Sequence, residues 1–114
     1  MSDRAGVPVW VKVGGREYNI HSDPDTSALT SDDGSRGVTF HERQRIHIDS
    51  TLGADVFRET LIHECIHAAW DVVGLTKAGD VAQHEEQIIK ALSPTITALI
   101  RENPQLVRFI TERG

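Results

Sequence analysis

Residues 59–68 read Glu59-Thr60-Leu61-Ile62-His63-Glu64-Cys65-Ile66-His67-Ala68. At the centre stands H-E-x-x-H. Positions four apart lie one above the other on a helix, so His63 and His67 can aim two imidazoles at one metal ion. Each residue turns the helix by about 100°, which sets Glu64 beside that ion, in reach of a water on it rather than as a ligand. Working outward, Val56, Phe57, Leu61, Ile62, Ile66, Ala69, Trp70 and Val73 keep the same helical period from about residue 54, and Gly74 supplies a stop signal. Chance would place such a motif in roughly one chain in fifty of this histidine and glutamate content. The bland alternative is a pair of core histidines with Glu64 solvated. The position of both rings inside an amphipathic helix argues for a metal instead.

Downstream, Asp80 reads as the N-cap of a second helix whose apolar stripe is Val81, Ile88, Ile89 and Leu92. This helix carries His84-Glu85-Glu86, the source of the third ligand that zinc needs if a fourth position is to stay open to water. Glu85 is in line with the stripe, where a carboxylate needs compensation. Glu86 lies about 100° to one side and His84 about 100° to the other. Geometry favours Glu85, with His84 and Glu86 as the alternatives. Ser93-Pro94 reads as a cap followed by proline at the first helical position, opening a third helix through about Glu102. Pro104 restarts a terminal helix with Leu106, Val107 and Ile110 inward. Cys65, about 200° round from His63, reads as a small buried hydrophobe, and Trp70 as packing beneath the site.

Upstream, the period is that of strands. Residues 7–13 alternate around Trp10 and Lys12, Gly14-Gly15 supplies a two-residue turn, and residues 16–21 return with Tyr18 and Ile20 on one face. Residues 22–35, rich in Ser, Asp and Thr, read as a surface loop. A second hairpin joins 38–40 to 45–49, with Ile46 and Ile48 toward the core and His47 and Asp49 outward. Strands first and helices after make an α+β domain, one unit over residues 1–114.

Composition agrees. A chain of 114 residues, 39% hydrophobic and 25% charged, is one globular domain. A formal net charge of −5 argues against nucleic acid as a partner. No apolar run approaches the roughly 18 residues of a membrane span, and the start lacks a secretory signature. With one cysteine, Cys65, there is no disulfide framework, and the expected compartment is the reducing cytoplasm.

The stretch 59–68, followed by His84-Glu85-Glu86-Gln87-Ile88-Ile89, resembles the active-site and glutamate helices of gluzincin metallopeptidases. In size the chain is most similar to the single-domain minigluzincins and to small H-E-x-x-H proteins common in bacteriophages. The resemblance covers roughly residues 45–92. It implies a minimal zincin-like fold: a small twisted N-terminal sheet, an active-site helix, a glutamate helix and C-terminal helices. It implies zinc, held by His63, His67 and Glu85, and Glu64 as general base on a zinc-bound water. It further implies that residues 46–49 form the edge strand along which a peptide or protein substrate lies. Two departures stand out. Ile89 occupies the position four after Glu85, where many gluzincins carry a histidine-orienting aspartate, and Trp70 and Val73 stand where a metzincin would have its glycine and third histidine. The orienting partner is then open, with Asp71 and Glu59 as candidates on helical spacing. The oxyanion donor is equally open among His47, His84, Tyr18 and Arg45, while His21 and His41 read as turn residues without a role. The expected function is a zinc metallopeptidase; the alternative is a zinc-stabilised regulatory or protein-binding module with little turnover.

Overall fold

Gly14 and Gly15, at φ 56° and 87°, close the first hairpin as the sequence predicts, pairing β1 (Trp10–Val13) antiparallel with β2 (Arg16–Asp23). Gly14 is also obligatory on space: a Cβ there would sit 2.6 Å from Cγ1 of Val72, where the turn meets the long helix. The computed structural model describes residues 6–24 and 36–112, so the expected loop at 22–35 lies, apart from its first three residues, outside the described residues. The second hairpin joins β3 (Gly37–Phe40) to β4 (Arg45–Asp49), again antiparallel.

The two hairpins meet through a parallel pairing of β2 with β4, giving a four-stranded sheet in the order β1-β2-β4-β3. This corrects one expectation. Residues 46–49 lie in an internal strand, and the edge strand on that side is β3. The consecutive burial of Ile46, His47 and Ile48 explains it, because a strand covered on both faces belongs inside a sheet. His47 is corrected with it. It does point away from Ile46 and Ile48, yet it is buried, stacked on His21, edge-on to Phe40 and hydrogen-bonded to Asp23.

On the other face, α1 (Ala54–Val72) crosses β3, β4 and β1 and brings Phe57 and Ala68 against Tyr18, Ile46 and Ile48, the buried core. Gly74 adopts the left-handed conformation and ends this run as expected. Val56 and Val73, read as core, are exposed instead.

The second half of the chain departs more. Two 3₁₀ turns, Leu75–Lys77 and Gly79–His84, precede one continuous α2 (Glu85–Glu102) that packs on α1. Asp80 lies in the second turn and its side chain caps nothing. Ser93-Pro94 opens no helix, since Pro94 lies inside α2. The ring falls on the exposed side, where water can take the carbonyl it leaves without a donor, while Ser93 and Thr97 bond back to the Ile89 and Ser93 carbonyls on the buried side. The inward line of α2 is therefore Glu85, Ile89, Ser93 and Thr97, with Leu92 exposed. Pro104 starts α3 (Pro104–Thr111) as predicted, but Leu106 and Ile110 are exposed rather than inward, and Val107 is half-buried. Among the described residues no helix is long and apolar enough to cross a membrane.

Candidate metal centre

Between β3, α1 and α2 lies an open cleft of about 810 Å³. His63 and His67, four apart on α1, face into it from one wall, and Glu85 and Glu86, at the start of α2, from the other. Nε2 of His63 and Nε2 of His67 are 3.2 Å apart. Oε1 of Glu86 lies 3.1 Å from the first and 2.7 Å from the second. These three atoms form a group able to hold a metal ion, all lying within 4.8 Å of one another.

Glu85, the favoured third ligand on sequence grounds, occupies a different place. Its Oε2 is 2.6 Å from Nδ1 of His67, on the far side of the ring from the converging atoms. The alternative, Glu86, stands where that ligand was expected. The reason is the helix start: residues up to His84 are in a 3₁₀ turn, so the Val81 end of the stripe does not continue the α2 phase. Glu85 then follows Ile89 inward to the ring edge, and Glu86, with 64% of its side chain exposed, reaches across the cleft mouth. His84 is exposed and bounds a separate shallow pocket with Val81 and Ile88.

Glu64 is 5% exposed and lies under the edge strand. Thr39 of β3 donates its hydroxyl to Oε1 of Glu64 at 2.7 Å. The strand approaches so closely that a Cβ on Gly37 would lie 3.1 and 3.2 Å from Cγ and Oε2 of Glu64 and 3.0 Å from Cγ2 of Thr60. Burial raises the Glu64 carboxyl above the usual range, partly offset by the Thr39 hydrogen bond and the two histidines. At His67 burial disfavours the imidazolium, but the hydrogen bond to Glu85 and the charges of Glu64 and Glu86 outweigh it and the net shift is upward. Cys65 packs against the core, and burial pushes its thiol up to about 11, which leaves no thiolate nucleophile at neutral pH.

The remaining candidates fall elsewhere. Asp71 accepts from Arg16 at 2.7 Å and from Thr76 at 3.0 Å and lies 3.8 Å from Nδ1 of His41, with no contact to His63 or His67, and Glu59 lines the cleft. Tyr18 is fully buried, with its hydroxyl 3.5 Å from Nδ1 of His41. His41, to which sequence reading gave no role, lines the cleft, whereas His47 does not. Sequence reading also missed Thr39, Gly37 and Ser93, whose Oγ is 3.2 Å from Nδ1 of His63. No spacing pointed to them, because β3 and the far turn of α2 reach α1 only through tertiary packing. Comparison with protein families, curated proteins and solved structures returns no match to this chain.

Proposed function

We propose that this chain is a minimal zincin-like metallopeptidase in which His63, His67 and Glu86 hold zinc and Glu64 is the general base. The observation that supports this reading most directly is the convergence of His63 Nε2, His67 Nε2 and Glu86 Oε1 within 4.8 Å in an open cleft. Two imidazoles and one carboxylate suit zinc with a coordination position to spare, the donor set of a hydrolytic rather than a closed structural site. Zinc, when bound, supplies Lewis acidity toward a carbonyl and a water molecule.

The chain's own residues do the rest. Glu64 accepts a proton from the attacking water and returns it to the leaving amine. Its raised pKa brings it closer to the operating pH, as a general base requires. Thr39 holds Oε1 in place, so the carboxylate does not swing into the cleft unaided. β3, as edge strand and cleft wall, offers its backbone to an extended peptide substrate.

Elemental analysis after dialysis against zinc should return one equivalent, and a metal-free protein under those conditions ends the proposal. Glu64→Gln, assayed on a panel of unfolded proteins, should keep zinc and lose about 10²–10⁴-fold in cleavage rate. Equal cleavage by both proteins would defeat the peptidase reading, and zinc retained with no cleavage by either would support the binding or regulatory module.

A further inference from the structure

The hydrogen atoms around the two rings can be counted. A hydroxyl carries one proton, and that of Ser93 is donated to the Ile89 carbonyl at 2.6 Å. Ser93 Oγ therefore faces Nδ1 of His63, 3.2 Å away, as an acceptor, and the ring must supply the proton. The carboxylate of Glu85 likewise accepts, so Nδ1 of His67, 2.6 Å away, must donate. With both Nδ1 atoms protonated, a ring in its neutral form turns a lone pair inward at Nε2; the two Nε2 atoms are 3.2 Å apart with a Glu86 oxygen beside both, so these contacts call for a proton or a metal ion among them. Three acceptors around one point repel unless something positive sits between them.

We infer that Ser93 and Glu85 are positioning residues that lock His63 and His67 in the Nδ1–H tautomer and so preform a two-nitrogen platform for a cation. The adjacent glutamates divide the work: Glu85 holds a ring and Glu86 closes the site. Ser93 is 1% exposed and Glu85 is half-buried, whereas Glu86 is mostly exposed. The groups behind the platform are buried or half-buried, and its third arm stands exposed at the cleft. Which tautomers the rings adopt does not depend on the metal reading; the consequence for affinity rests on it.

Two readouts test the inference. Nitrogen-15 NMR of the metal-free protein, at a pH where imidazole is neutral, should show Nδ1–H for His63 and His67. Ser93→Ala should release His63 to the Nε2–H form. Zinc affinity, measured by competition with a chromophoric chelator, should fall roughly 10–100-fold in Ser93→Ala and in Glu85→Ala, and Glu85→Gln, which still offers an oxygen acceptor, should recover part of the loss. Melting of each metal-free variant near wild type separates lost positioning from lost folding. Nε2–H tautomers in wild type overturn the inference, as does Ser93→Ala with tautomer and affinity unchanged. Complete loss of zinc in Glu85→Ala with retention in Glu86→Ala makes Glu85 a ligand and overturns its positioning role. Nδ1–H tautomers in a protein that takes no zinc sustain the inference while ending the proposed function.

Discussion

Among the described residues, two places bring a pair of histidines and a carboxylate together, and one of them has the nitrogens and the oxygen converging. The rings of His63 and His67 have centroids 4.9 Å apart, and those of His21 and His47 4.8 Å apart. The separations differ by 0.1 Å; the directions differ far more. On α1 the planes meet at 60° and both Nε2 atoms converge with Glu86. Across β2 and β4 the planes lie 14° from parallel, the rings are stacked, and His47 gives Nδ1 to Asp23. Side chains four apart on a helix lean the same way and meet at their tips, whereas paired residues of parallel strands stand side by side. A site therefore depends on where nitrogens point and not on how near the rings are.

The largest expected effect tests that contrast. His63→Ala or His67→Ala should abolish zinc uptake, a loss beyond the roughly 10–100-fold of a supporting residue, while His21→Ala and His47→Ala should leave uptake at wild-type level. Dialysis and elemental analysis read both, and equal losses in the two pairs would break the comparison.

Next is Gly37→Ala, which forces a Cβ against Thr60 and the Glu64 side chain. Overpacking of this kind costs about 1–3 kcal/mol, visible in urea unfolding. It should also displace Glu64 and lower cleavage with zinc retained. No change in either measurement would mean that the edge strand does not hold Glu64 in place.

On the other face, Asp23→Ala should cost about 1–3 kcal/mol by leaving the buried His47 without its acceptor. Zinc uptake and cleavage should be unchanged, which marks this cluster as structural.

The smallest effect belongs to Arg16 and Asp71, an ion pair open to water. The Arg16 hydrogen bond holds the Asp71 carboxyl below its ordinary value. The contribution of the pair is then complete above the usual carboxylate range and fades as pH falls through the lowered value. Asp71→Asn should lower the melting temperature slightly at neutral pH and not at all in strong acid.

Most local features were legible because they are local. Gly14-Gly15, the alternation around Tyr18, the period of α1 with its stop at Gly74, and the restart at Pro104 depend on neighbours a few residues away. Expectations failed where contacts in the folded protein outrank local pattern, as three of them show. Ser93-Pro94 has the composition of a helix start, but in the packed protein Ser93 faces His63 and the helix runs through it. His47 alternates outward, and His21 and Phe40 cover it. Leu106, Val107 and Ile110 of α3 have an inward pattern, yet Leu106 is 40% and Ile110 68% exposed.

By itself the sequence determined that His63, Glu64 and His67 share one helix and that acidic side chains follow at 85 and 86, since helical spacing is a property of the chain. Only the tertiary structure set Glu86 beside both Nε2 atoms and Glu85 at Nδ1 of His67, put β3 rather than β4 at the edge, and brought Thr39 to Glu64 and Ser93 to His63. Those choices depend on how α2 and β3 pack against α1, and a change of one residue in the phase of a helix turns a side chain by about 100°, more than a ligand can tolerate.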